Sequence, residues 1–377
     1  MTQDATIDRR IPVTLLTGFL GAGKTTLLNH LLRLPEMANA AVLINELGDV
    51  GVDHHLVDRV DDALVVLDSG CICCSVQGDL VKALKSLFMR ALRREIPAPT
   101  RILIETTGLA DPAPVIFTLM EEAFIAERYR CDGVLTAVDA TLGLSQLGTH
   151  AEALRQVAMA DRLLITKCDL ADAATRAALA ERLAELNPGA PQFEVARGEV
   201  SPDAVFGCGL YDAAGKTADV AAWLGEERVR AAQARAAERN APPAWRTPGK
   251  RPAVAIPAAP ARHDASVHSF VLSFDEPLHW FDFSDALGLL LQIHGARILR
   301  IKGLLNVAGD PLPRVLQCVQ HVVYPATSLP AWPDRPPYDD RRSRLVFIVR
   351  DLPEEKVRAM LDSLLQPPPP PVVPPQP

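Results

Sequence analysis

The chain has few aromatic side chains (5%), no long apolar run and no block of histidines, and each shortage narrows what it can be. No stretch approaches the roughly twenty consecutive apolar residues that cross a bilayer, so no membrane partner is expected. The opening residues, MTQDATIDRR, lack the apolar segment of a secretory signal. A net charge of −7 at pH 7 denies the chain the basic surface that nucleic acid selects, and no nucleic-acid partner is expected either. The nine histidines are scattered, only His54 and His55 being adjacent, which leaves no metal-storing tract. Seven cysteines without an extracellular signal point to the cytoplasm, where clustered thiols serve metal or redox chemistry rather than disulfides.

What is present begins with Gly18 to Thr25, GFLGAGKT, which satisfies G-x-x-x-x-G-K-[ST]. An apolar run, Ile11 to Thr17, precedes it, and a segment of helical period, Thr26 to Arg33, follows. A strand feeding a glycine loop feeding a helix N-terminus sets aligned amide dipoles against phosphates. Gly18, Gly21, Ala22, Gly23, Lys24, Thr25 and Thr26 are therefore the expected phosphate-binding residues. Lys24 reaches the β/γ-phosphates, and the Thr25 hydroxyl ligates Mg²⁺.

An α/β rhythm runs on to about Phe206, with strand-like runs at 41–44, 63–67, 101–104, 133–138 and 162–166. Helical segments are expected at 78–93, 111–128, 145–160 and 173–186. This alternation predicts an α/β P-loop NTPase domain with a mostly parallel, doubly wound sheet, whose ligands sit beyond the C-terminal strand ends. The expected organisation is a tail at 1–10, the P-loop domain at 11–224, an Ala/Pro/Arg-rich linker at 225–265 and a smaller α+β domain at 266–365. A polyproline tail at 366–377 closes it.

Three further motifs fall at strand ends. Arg101 to Gly108, RILIETTG, ends in Glu105, an acid placed to order the Mg²⁺ shell or an attacking water. Gly108 lets backbone swing toward a γ-phosphate, so Lys24, Glu105 and Gly108 form the expected catalytic set. Leu163 to Asp169, LLITKCD, closes on Thr166, Lys167 and Asp169. A carboxylate accepts both N1–H and N2–H₂ of guanine, which adenine does not offer, and the lysine stem covers the base. Asp68 to Ser75, DSGCICCS, carries Cys71, Cys73 and Cys74, soft ligands for Zn²⁺ or Cu⁺ that leave a tetrahedral ion one ligand short. A fourth motif, INELGDVGVD, follows the strand-like run at 41–44 and reads as a switch loop whose Glu46 and Asp49 are candidate metal ligands.

Together GFLGAGKTT, NELGDVGVD, GCICCS, IETTGLADP, AVDA and TKCD resemble the CobW-type family of GTP-dependent metal chaperones, which belongs with the GTPases that insert nickel into hydrogenase and urease. The segment ILRIKGLLNV is similar to that family's C-terminal domain. The resemblance implies GTP hydrolysis coupled to binding of zinc or another transition metal at Cys71, Cys73 and Cys74, for delivery to a client metalloprotein. A homodimer is a further partner it leaves open. The chain departs from the family's pattern in Asp49, Ser69 and Thr166, where Glu, Asn and Asn are more usual. Two other classes fit the same loop: a small-molecule kinase with structural cysteines, and a non-catalytic metal-sensing scaffold.

Overall fold

The computed structural model describes residues 8–45, 64–67, 75–208, 220–240, 267–334 and 336–365. The N-terminal half is built on seven described strands: β1 (Ile11–Gly18), β2 (Ala41–Asn45), β3 (Leu64–Leu67), β4 (Ile102–Glu105), β5 (Tyr129–Asp139), β6 (Arg162–Thr166) and β7 (Gln192–Glu194). They lie in the order β3-β2-β4-β1-β5-β6-β7, every pair parallel. Parallel neighbours require crossovers, and helices α1 (Lys24–Leu31), α2 (Ser75–Leu92), α3 (Ala113–Glu121), α4 (Ala123–Ala126), α5 (Gly143–Thr149), α6 (Ala151–Met159) and α7 (Ala173–Leu186) supply them.

Alternation along each strand explains the two covered faces. Val13, Leu15, Ile102 and Ile104 point toward Leu84 and Leu87 of α2 and Ile116 and Leu119 of α3, whereas Leu16, Ile44, Leu103 and Leu164 meet Leu27, Leu28 and Leu31 of α1. The doubly wound expectation is met, and the sheet is wholly parallel.

After α8 (Val220–Leu224) and α9 (Glu226–Asn240) comes a second, antiparallel sheet of β8 (Val267–Phe274), β9 (Ile298–Leu305), β10 (Arg314–Val319), β11 (Val322–Val323), β12 (Thr327–Ser328) and β13 (Ser343–Arg350). Its order is β11-β10-β9-β13-β8, with β12 on β10. Phe270, Leu272 and Phe347 face α10 (Trp280–His294) and α11 (Glu354–Leu365), while Val271, Leu304 and Val346 face α8 and α9.

The sequence expectation of a linker over 225–265 is corrected in part. Glu226–Asn240 is helical, because EERVRAAQARAAERN has neither proline nor glycine and is rich in alanine, glutamate and arginine, all strong helix formers. Val229 anchors it, fully buried against the second sheet. The rest of that stretch, and the polyproline tail, lie outside the described residues. Two helices expected as continuous are each divided. Glu122 (ψ 111°) separates α3 from α4, and His150 (ψ 116°) separates α5 from α6.

The two sheets meet through charged residues buried at the join. Arg300 of β9, 1% exposed, donates to the Met159 carbonyl and pairs with Asp161, whose other oxygen accepts from Val134 N at 3.0 Å. Lys302 donates to the carbonyls of Gly189 (3.3 Å) and Trp223 (3.1 Å). Burial, followed by the nearby Arg300, pushes its amine down from 10.5 to about 7.

Candidate functional site: a strand-end phosphate loop

The ends of β1, β4, β5 and β6 converge, and the turn after β1 is where they are closest. Gly18 adopts φ 143°, and a Cβ there would stand 2.4 Å from the Ala137 carbonyl oxygen of β5, so no side chain fits. Gly23 precedes α1 in a left-handed conformation, φ 81°. No acid stands in the first turn of α1, which leaves its N–H groups and positive dipole end to an anion. Lys24 Nζ folds back to donate to Gly18 O at 3.0 Å, its ammonium held over the loop.

β4 delivers Glu105, 6% exposed, in register with Leu16 on one side and Ile44 on the other. The next residue ties the two strand ends together, Thr106 Oγ1 donating to Thr17 Oγ1 at 2.9 Å. Gly108 then lies against the phosphate loop, where a Cβ would meet Leu20 N at 2.7 Å. These contacts bring Lys24, Glu105 and Gly108 to one edge of the sheet.

Thr166 stands at the end of β6, where the more usual motif has asparagine. Its hydroxyl donates to Ala22 O at 2.7 Å, with Val138 O at 3.2 Å, so it bridges the phosphate loop to β5 and β6. Lys167, at φ 57°, places its ammonium 2.6 Å from Asp139. Asp139 is fully buried, which alone would raise its carboxyl. Lys167 and the Thr141 and Leu142 donors outweigh that and hold it below the ordinary carboxylate value. Asp169 accepts from Arg197 N at 3.4 Å. The adjoining Gly198 (φ 81°) is so close to α1 that a Cβ would meet Thr26 O at 2.9 Å. The loop at 196–199 thus runs between the two parts of the site.

Glu46, Asp49, Cys71, Cys73 and Cys74, the expected metal ligands, lie outside the described residues. Their approach is described: β2 and β3 are neighbours with Asn45 opposite Leu67, so the segments that follow leave the sheet from adjacent positions. The other four cysteines are poor candidates. Cys131, Cys168 and Cys318 are buried and Cys208 is half-buried; burial raises all four thiols, Cys131 to about 12. Among the described residues no group of three or more His, Cys, Asp or Glu is arranged to hold a metal ion, and no helix is long and apolar enough to cross a membrane.

Two site residues escaped the sequence reading. Asp139 is the third residue of the AVDA motif, which served only as part of a resemblance. Gln156 of α6 is 1% exposed and donates from one amide nitrogen to Gly108 O (3.1 Å) and Ala110 O (3.0 Å). A glutamine inside a helix carries no signal of that kind in sequence.

A glycine loop between a buried strand and a helix, with an acid ending the neighbouring strand, defines a phosphate-loop nucleotide-binding protein. Residues 12–194 match the CobW/HypB/UreG nucleotide-binding domain, and residues 267–365 match the cobalamin synthesis protein cobW C-terminal domain. The zinc chaperone YjiA of Escherichia coli K12 is 35% identical over 354 residues, covering 94% of this chain and 98% of that one. The zinc chaperone CobW of a Sinorhizobium species is 28% identical, covering 97% of this chain and all of its own. The crystal structure of the Zn(II)-bound YjiA GTPase from E. coli superposes with a TM-score of 0.63 at 30% identity, over 95% of this chain and 99% of that one. The chain belongs to the CobW/HypB/UreG family.

Proposed function

We propose that the protein hydrolyses GTP to drive binding and delivery of a transition metal, zinc foremost, to a client metalloprotein. The observation that carries the nucleotide half is the meeting of Lys24, Glu105, Gly108 and Thr166 around one acid-free helix N-terminus. The names of the full-length relatives support the zinc half.

The residues present fit the groups this reading needs. Gly18 to Thr26 form a loop that approaches β5 so closely at Ala137 that Gly18 admits no Cβ, and Lys24 exchanges its carbonyl partner for a β/γ-phosphate oxygen. Thr25 and Glu105 would hold Mg²⁺, which when bound neutralises charge on the phosphates. Lys167 and Asp169 take the guanine. Gly108 presents backbone to the γ-phosphate, and Cys71, Cys73 and Cys74, with Glu46 and Asp49, take the cargo ion. The loops carrying those ligands start beside each other at Asn45 and Leu67, next to the strand ending in Glu105.

Titration of the reduced protein with zinc, cobalt, nickel and copper, in GDP and in a non-hydrolysable GTP analogue, tests the coupling. Linkage requires metal to change nucleotide affinity by the factor that nucleotide changes metal affinity. Identical zinc affinity in both nucleotide states would end the proposal.

A further inference from the structure

We propose that Gln320, a residue of the C-terminal sheet, is a positioning residue for the segment 108–111, so that the C-terminal domain sets the rate of GTP turnover. The inference rests on reading that segment as the γ-phosphate sensor. Val319 pairs with Val322 across β10 and β11, which leaves Gln320 and His321 as a two-residue turn. Gln320 takes φ 50°, a left-handed conformation that is strained for a residue with a Cβ and that glycine or asparagine adopts more readily. The side chain found there is one whose amide reaches another domain.

Gln320 Nε2 donates to Asp111 Oδ2 at 3.3 Å, and the neighbouring His321 ring lies 5.7 Å from that of Phe117 on α3. Asp111 is itself a junction. Its Oδ1 accepts from Ala113 N at 3.0 Å, fixing the start of α3, and Arg155 Nε lies 3.7 Å from Oδ2. One residue on from Arg155, Gln156 holds the carbonyls of Gly108 and Ala110. The segment is thus gripped at its backbone by α6 and at its carboxylate by the C-terminal hairpin. Because Gly108 leans on Leu20 of the phosphate loop, its position decides how backbone meets a γ-phosphate. Arg300, opposite Val319 in the β9–β10 register, and Asp161 keep the two sheets docked beside the Gln320 contact.

Gln320→Gly is the decisive variant, because glycine keeps or relaxes the left-handed backbone and removes only the amide. We expect kcat for GTP to fall roughly three- to tenfold, the weight of one ordinary net hydrogen bond, with KM within about twofold. Gln320→Asn, which retains a shorter amide, recovers part of the loss. In a double-mutant cycle with Asp111→Asn the paired variant is no slower than the slower single one. A Gln320→Gly protein with the wild-type kcat, or losses that multiply independently, overturns the inference while leaving the proposed function intact. Absence of GTP turnover in the wild-type protein removes both.

Discussion

Arg300 and Asp161 form a buried ion pair between the two sheets, and neither has water to fall back on. Removing one partner leaves the other charged in a dry site, so Arg300→Met is expected to destabilise the protein by about 3–5 kcal/mol. Arg300→Met combined with Asp161→Asn should recover part of that loss. Thermal denaturation of the single and double variants checks it, and equal melting temperatures for the two would contradict the argument.

Lys302 gives stability a pH dependence in a window above neutrality, where the carboxylates no longer titrate. Its folded amine titrates near 7, against 10.5 when solvated, so between those values the unfolded chain binds a proton that the folded chain lacks. Stability attributable to this group therefore rises with pH across that window, by about 1.4 kcal/mol per unit, and is flat below pH 7, where both states are charged. A neutral amine still has two N–H groups for the Gly189 and Trp223 carbonyls. Urea titrations of wild type and Lys302→Met from pH 6.5 to 9.5 isolate the slope, which the variant should lose.

Under the proposed function, base selectivity turns on Asp169. Asp169→Asn replaces a double acceptor by an amide with a single acceptor oxygen, and should weaken GTP-analogue binding by about 2–3 kcal/mol, roughly 30- to 150-fold. Calorimetry with GTP and ATP analogues checks it: the preference for guanine should collapse, and an unchanged preference would move base recognition elsewhere.

Cys73→Ser tests the cargo site. The variant should lose thiolate-to-cobalt charge-transfer absorption and bind zinc at least about tenfold more weakly, while binding GTP normally without metal. Retention of the cobalt spectrum would exclude Cys73 as a ligand. Wild-type transfer of phosphate to a small acceptor would instead favour the kinase.

Much of the N-terminal architecture was legible because central parallel strands are buried on both faces and read as unbroken apolar runs: β6 has the bounds expected of it. β7 was not, since Gln192–Glu194 is a short edge strand with little to bury. The break at Glu122 has no proline or glycine beside it to announce it, and the one at His150 only Gly148, inside α5. The turn between β10 and β11 at Gln320 likewise has neither glycine nor asparagine to mark it. In the site, the phosphate loop was readable as a local motif. Gln156, Asp139 and the role of Thr166 depend on partners 28 to 144 residues away, which no local pattern reveals.

The burial of Cys131, Cys168 and Cys318 and the raised thiol of Cys208 have a practical side. At neutral pH those four sulfurs stay protonated and slow toward electrophiles. A thiol-reactive dye applied to the native protein thus counts Cys71, Cys73 and Cys74 against a silent background. Occupancy of the cargo site by metal can be read as dye that fails to attach, without rebuilding the chain around a single cysteine.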